Sequence, residues 1–69
     1  MARSKSLSRH VRLAREARGL TVGELAARVG VSAMAVYNWE AGRSRPRSPN
    51  LSALCKVLRV RLADAEAMV

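Results

Sequence analysis

The segment 43–48 concentrates the groups in this chain that are best suited to bind phosphate. Three guanidinium groups and two hydroxyl groups fall within six residues. A guanidinium forms two parallel hydrogen bonds to one phosphate, which makes arginine a better phosphate ligand than a simple point charge. The alternative is a loop whose charges are only hydrated, because most runs of charge on a protein surface bind no partner. The residues that carry these groups are Arg43, Ser44, Arg45, Arg47 and Ser48.

Catalysis and metal binding find little support in the same sequence. The chain has one histidine, His10, without an evident carboxylate partner, and its five acidic residues are scattered. No cysteine–histidine pair has the spacing of a metal site, and no glycine-rich loop resembles a phosphate cradle. The single cysteine, Cys55, cannot form an internal disulfide, and we expect a small buried apolar residue rather than a reactive thiol. We therefore expect no enzyme activity, no metal, no cofactor and no small-molecule ligand.

The charge of the chain points to a polyanionic partner. Thirteen Lys and Arg residues against five acidic residues give a net charge of +8. So small and basic a domain accumulates near nucleic acid or an anionic membrane, unless the charge only keeps the protein dissolved. No apolar run approaches the roughly 20 residues that span a bilayer, and no apolar segment follows the basic N-terminus as in a secretory signal. We therefore expect a cytoplasmic protein.

Signals for helix starts and stops divide the chain. A glycine follows each of the first three apolar-periodic stretches, where a left-handed residue ends helices. Thr21 and Glu24 form a capping box, and Ser32 and Ser48 are expected N-caps of later helices, with Pro49 in the first turn. No segment alternates long enough to predict a strand. We predict helices at about 7–18, 22–29, 33–41 and 49–58, and a weaker fifth helix near 62–68.

The apolar residues and one short turn predict how these helices pack. Each helix offers only a narrow apolar stripe, so the helices must share one core. Only Gly30, Val31 and Ser32 separate the second and third helices, and so short a turn makes them cross steeply, as in a helix-turn-helix. We predict an all-α domain of four to five helices, with a basic arm at 1–6, the helix-turn-helix domain at 7–62 and a C-terminal segment at 63–69. The predicted core consists of Leu7, Val11, Ala14, Leu25, Ala26, Val29, Val36, Trp39, Leu51, Leu54, Cys55 and Leu58.

The stretch LTVGELAARVGVSAMAVYNWEAGRSRP at 20–46 resembles the helix-turn-helix family of phage repressors and Cro, the Xre type. The matching features are E-L-A, V-G-V-S, an aromatic residue before E-x-G, and a proline four residues after that glycine. The likeness extends over about 9–62 and implies a DNA-binding protein of bacterial or phage origin that acts on double-stranded DNA near the nucleoid. The chain departs from the family pattern at Val22, where many members have Gln, and at Arg59, where relatives usually have a glycine.

The resemblance makes the third helix the recognition helix, whose exposed face meets base edges in the major groove. The expected base-reading residues are Ala33, Met34, Tyr37 and Asn38. Asn38 can pair with adenine through its amide, while Ala33 and Met34 suit contact with a thymine methyl group. Tyr37 is expected to contact a base or a phosphate. The alternative is that these four are surface residues, with Met34 and Tyr37 partly covering the core.

The resemblance also places the segment 43–48 along the phosphate backbone, with further phosphate contacts at helix starts. It pairs Arg15 with Glu40 in a partly buried ion pair that fixes the third helix against the first; two exposed side chains without contact are the alternative. The expected phosphate-binding residues are Thr21, Ser32, Arg43, Ser44, Arg45, Arg47 and Ser48.

These expectations lead to a transcriptional repressor that binds a palindromic operator as a homodimer, because one recognition helix contacts too few base pairs for a selective site. A small interface would allow the dimer to form only on DNA. The expected dimer contacts are Leu58, Val60, Leu62 and Met68. The alternative is that this segment packs as a fifth helix against the first and fourth helices, and both can hold if the outer face of that helix makes the dimer. Two other functions remain open: an antitoxin or regulator controlled by a second protein, and an interaction module that does not read DNA.

Overall fold

Five helices make up the part of the chain that the computed structural model describes, namely the backbone of residues 3–68 with the side chains of 7–65 and 67. No strand occurs within these residues, so the predicted all-α class and the number of helices are confirmed. The helices are α1 (Arg3–Ala17), α2 (Val22–Val29), α3 (Ala33–Glu40), α4 (Ser48–Leu58) and α5 (Leu62–Met68).

The first helix begins earlier than the sequence predicted. It starts at Arg3, so residues 3–6 belong to α1 rather than to a separate basic arm. The segment 3–6 contains neither proline nor glycine, and its serines do not interrupt the backbone hydrogen bonds of a helix that its neighbours already favour. Residues 1 and 2 of the predicted arm lie outside the described residues.

The core is built as the apolar spacing predicted. Leu25 and Val36 are fully buried, and Ala26 is buried where α2 and α3 approach. Cys55 is also buried, as expected of a small apolar residue. The predicted Ala14 and Val29 are partly buried at its edge, and the sequence analysis missed Ala65. The buried apolar residues are Leu7, Val11, Leu25, Ala26, Val36, Trp39, Leu51, Leu54, Cys55, Leu58 and Ala65.

The turn between α2 and α3 follows from the left-handed conformation of Gly30. Its φ is 89°, which lets its N–H and that of Val31 both reach the carbonyl of Ala26, at 2.8 and 3.0 Å. These bonds close α2 and turn the chain at once toward α3. A side chain at this φ would strain the backbone, so glycine is strongly favoured here.

The predicted capping box holds the start of α2. The Oγ1 atom of Thr21 accepts from the backbone N–H of Glu24 at 3.0 Å, and the carboxylate of Glu24 accepts from the N–H of Thr21 at 2.8 Å. The hydrogen bond from the Thr21 backbone lowers the pKa of Glu24, since it favours the charged carboxylate. The stabilisation from the Glu24 carboxylate is therefore complete above the ordinary carboxyl pKa and is lost as the pH falls through the lowered one, while the bond to the Thr21 hydroxyl persists.

The C-terminal segment forms the predicted fifth helix and packs against α1 and α4. Its Ala65 enters the core, so the expected packing of this segment as a fifth helix is observed, while a dimer contact on its outer face stays a prediction. Leu58 is only 4% exposed and lies within the same core. It therefore has no surface to offer a second copy, and its assignment as a dimer contact was wrong.

Arg59 ends α4 in the left-handed region, at φ 58° and ψ 43°. Among the described residues, it is the one non-glycine residue with a positive φ, and it stands where the resemblance led us to expect a glycine. The N–H groups of Arg59 and Val60 bond to the carbonyl of Cys55, which fixes this conformation. A Cβ atom is disfavoured at such a φ because it crowds the following carbonyl.

Arg59→Gly should therefore raise the free energy of unfolding by roughly 0.5–1 kcal/mol, after the greater freedom of glycine in the unfolded chain is subtracted. Urea denaturation followed by circular dichroism measures the change. Arg59→Ala is the matched control, because it removes the same charge but keeps the Cβ atom, and it should not stabilise. A glycine variant less stable than the alanine variant would contradict this account.

Candidate nucleic-acid interface

One face of α3 is exposed and carries no charge. Ala33, Met34 and Tyr37 lie on it, and the side chains of Met34 and Tyr37 are 63% and 58% exposed. Val36 and Trp39 are buried on the opposite face and hold α3 against the core. Residues three and four apart share one side of a helix, so the exposed residues form a continuous stripe of small and apolar groups.

Asn38 completes this stripe but is half-buried. Its backbone carbonyl accepts from the N–H groups of Arg43 and Ser44, at 2.9 and 3.4 Å. Its side-chain amide makes no hydrogen bond to another described residue and is not sealed in the interior. The amide therefore keeps both its donor and its acceptor for a partner outside the chain.

The arginine-rich loop leaves directly from the end of α3. The N–H groups of Ala41 and Gly42 bond back to the carbonyls of Tyr37 and Trp39, at 2.9 and 3.2 Å. Buried Pro46 anchors the far end of the loop. The five predicted phosphate ligands of this segment are all exposed, and none is in an ion pair with a described residue: Arg43, Ser44, Arg45, Arg47 and Ser48.

The start of α4 differs by one residue from the prediction. Arg47, not Ser48, is the N-cap, because its carbonyl accepts the first helical bond from the N–H of Leu51 at 2.7 Å. Ser48 is the first helical residue, its hydroxyl makes no cap, and Pro49 follows in the first turn. Proline lacks an N–H, so a side chain at the N-cap has one target fewer in this turn.

The hydroxyl groups of Thr21 and Ser32 lie at the two other predicted helix starts. Both residues are exposed and have an extended backbone. The Ser32 Oγ atom accepts from the N–H of Ala35 at 3.1 Å, which confirms the predicted cap of α3. Each hydroxyl accepts within its cap and retains its own hydrogen for donation to an external acceptor.

Arg15 and Glu40 form the ion pair that the resemblance implied. Their side chains are 12% and 9% exposed, with 2.7 Å between Nε of Arg15 and Oε2 of Glu40. A second bond of 3.1 Å joins Nη2 to Oε1, so the contact is bidentate. The remaining nitrogen, Nη1, donates to the carbonyl of Leu20 at 2.7 Å. The hydrogen bond to Glu40 raises the pKa of Arg15, and the pair ties the last residue of α3 to α1 and to the chain entering α2.

Two arginines have positions that the sequence analysis missed. The Nε atom of Arg18 donates to the carbonyl of Leu58 at 3.1 Å, which satisfies a carbonyl at the end of α4. Arg12 borders a concave surface between α1, the start of α2 and α3. The spacing of three residues between Arg12 and Arg15 is the one sequence signal that could have placed both on one side of α1.

The chain belongs to the Xre-type helix-turn-helix family, which it matches over residues 11–64. A search of curated proteins and a search of solved structures each found no match. The family, together with the exposed face of α3, makes this chain a DNA-binding helix-turn-helix regulator. Within the described residues, no helix is long and apolar enough to cross a membrane, and no three His, Cys, Asp or Glu side chains are grouped to hold a metal ion.

Proposed function

We propose that this protein is a transcriptional repressor that binds a palindromic DNA operator as a homodimer and reads it through α3. The observation that carries the proposal is the uncharged, exposed face of α3 beside a loop of three exposed arginines. The two surfaces are joined by the hydrogen bonds from Arg43 and Ser44 to Asn38. A protein that holds the backbone with one surface and the base edges with the other has both parts of a sequence-specific DNA contact.

The four residues of the recognition face have distinct chemical capacities. Asn38 has a free amide that matches the N6 and N7 edge of adenine. Met34 and Ala33 offer apolar surface that suits the methyl group of thymine. Tyr37 adds an aromatic ring and a hydroxyl that reaches either a base or a phosphate. The small side chains also let the helix backbone approach the floor of the major groove.

Asn38→Ala should weaken binding to the preferred operator by about 1–3 kcal/mol and weaken binding to random DNA much less, because only the operator offers the matching adenine. Fluorescence anisotropy with both duplexes gives the ratio of the two dissociation constants. Asn50→Ala, at the other half-buried asparagine, is the control and should leave this ratio unchanged. Equal losses on operator and random DNA for the Asn38 variant would remove this residue from base reading.

The dimer contact in this proposal lies on the outer side of α5 and the turn before it. Leu62 is 39% exposed, Val60 is half-buried, and Ala63 and Ala67 are exposed. The side chain of Met68, which the sequence analysis included, lies outside the described residues. An apolar contact this small supports a weak dimer, which DNA strengthens because the first bound protomer raises the effective concentration of the second.

Leu62→Asp should abolish cooperative binding to a full palindrome and leave the affinity for an isolated half-site nearly unchanged, because a charge at the contact opposes only the pairing of protomers. Electrophoretic mobility shifts on full-site and half-site duplexes distinguish the two effects. Leu13→Asp is the matched control, since Leu13 is an exposed leucine on α1. Sedimentation that finds one protomer per palindrome in the wild-type complex would refute the dimer.

A further inference from the structure

The concave surface that Arg12 borders lies beside the recognition face and encloses a volume of about 760 Å³. Its walls are α1, the start of α2 and the inner edge of α3. Ala33 and Tyr37 belong both to this surface and to the exposed face of α3. DNA that contacts the recognition face of α3 therefore brings its flanking backbone to the mouth of this concave surface.

One cationic side chain in the lining of the concave surface has no ionic partner among the described residues. Arg15 and Glu40 both line it, but they neutralise each other in their bidentate pair. Arg12 lines it as well, is exposed, and makes no ion pair or hydrogen bond with another described residue. The net charge of the lining therefore comes from the guanidinium of Arg12.

Among the side chains of the lining, Arg12 is the charged donor that is available to an anion. Val22 has no hydrogen-bond donor on its side chain. The Thr21 oxygen accepts from the N–H of Glu24 within the capping box, and its hydroxyl hydrogen remains available only as an uncharged donor. Donors with full charge bind phosphate oxygens more strongly than neutral hydroxyls, and guanidinium binds them in two bonds.

We propose that Arg12 is a DNA-contacting residue whose guanidinium binds one backbone phosphate just outside the base pairs read by α3. This inference rests on the proposed function and extends it to a residue of α1. Arg12 acts as the charged ligand in the concave surface, which no residue of the loop at 43–48 lines. The DNA backbone is then bound by a residue of α1 as well as by the loop at 43–48.

The test compares Arg12→Ala with Arg9→Ala, measured by anisotropy on the preferred duplex and on random DNA over a range of salt concentrations. Both variants remove one exposed arginine of α1, but Arg9 does not line the concave surface. Arg12→Ala should weaken binding about tenfold on both duplexes and lower the magnitude of the salt slope by roughly one per protomer. Arg9→Ala should change the affinity less than about twofold, because it removes only long-range electrostatic attraction to DNA.

Arg12→Lys and a scan of neutral methylphosphonate linkages make the test specific to one phosphate. Lysine should restore the salt slope and recover only part of the affinity, because it keeps the charge but loses the bidentate geometry. One methylphosphonate outside the recognised base pairs should weaken the wild type and leave Arg12→Ala unaffected. Equal behaviour of the Arg12 and Arg9 variants, or the absence of such a position, would overturn the inference while the proposed function stands. Failure of the wild-type protein to bind either duplex would instead overturn the proposed function and this inference with it.

Discussion

Replacing Glu40 by alanine is expected to lower the free energy of unfolding by about 3–5 kcal/mol. Arg15 keeps its charge in this variant, and its side chain is only 12% exposed in the folded protein. The substitution leaves that buried charge without its bidentate partner, which is why the loss exceeds the worth of the two hydrogen bonds. A domain of this size has a total stability of roughly 3–10 kcal/mol, so much of the population should unfold at physiological temperature.

Glu16→Ala supplies the matched control for this prediction. Glu16 also approaches Arg15, with 3.9 Å between the two charged groups, but its side chain is 56% exposed. A surface pair of this kind contributes about 1 kcal/mol or less. Thermal and urea denaturation should therefore separate the two variants clearly. Similar small losses for both would show that the Arg15–Glu40 contact does not fix α3 against α1.

The second large effect is expected when all three arginines of the loop at 43–48 are replaced by alanine, namely Arg43, Arg45 and Arg47. A dimer would lose about six phosphate contacts, and the affinity for all DNA sequences should fall on the order of a thousandfold at moderate salt. The magnitude of the salt slope should fall by roughly three per protomer. The fold should be retained, because the three side chains are exposed and make no bond to other described residues.

A control with three other exposed cations separates local contacts from the loss of net charge. Arg9, Arg28 and Lys56 are exposed, and none makes an ion pair with another described residue. Their replacement by alanine removes the same total charge as the loop variant does. The loss of long-range electrostatic attraction to DNA should therefore be similar in the two triple variants, and it should be small at high salt. If the two triple variants have the same salt slope, the loop is solvated in the complex and does not hold phosphate.

The sequence was sufficient to predict the helix-turn-helix because its signals are local. The capping box of Thr21 and Glu24, the left-handed Gly30 and the cap at Ser32 each act within a few residues. They predicted the bounds of α2 and the first residue of α3 as observed. The core followed from helical spacing for the same reason. The Arg15–Glu40 pair joins residues 25 apart and was predicted only through the resemblance.

The features that the sequence did not predict depend on contacts between distant segments or on weak local signals. The bond from Arg18 to the carbonyl of Leu58 and the entry of Ala65 into the core require the packing of α1, α4 and α5. Leu58 is equally apolar whether it faces a partner or its own core. Only the tertiary structure can therefore distinguish a dimer contact from a core residue at this position. The early start of α1 has no strong cap or breaker to mark it.

The most direct test of sequence-specific DNA binding is selection of duplexes from a random pool by the wild-type protein at physiological salt. The proposed function predicts enrichment of an inverted repeat with half-site centres about one helical turn, roughly 10 base pairs, apart. Each half-site should contain an adenine whose replacement lowers the affinity of the wild type but not that of Asn38→Ala. Recovery of a pool that stays random, with binding governed by salt concentration alone, would contradict the central claim.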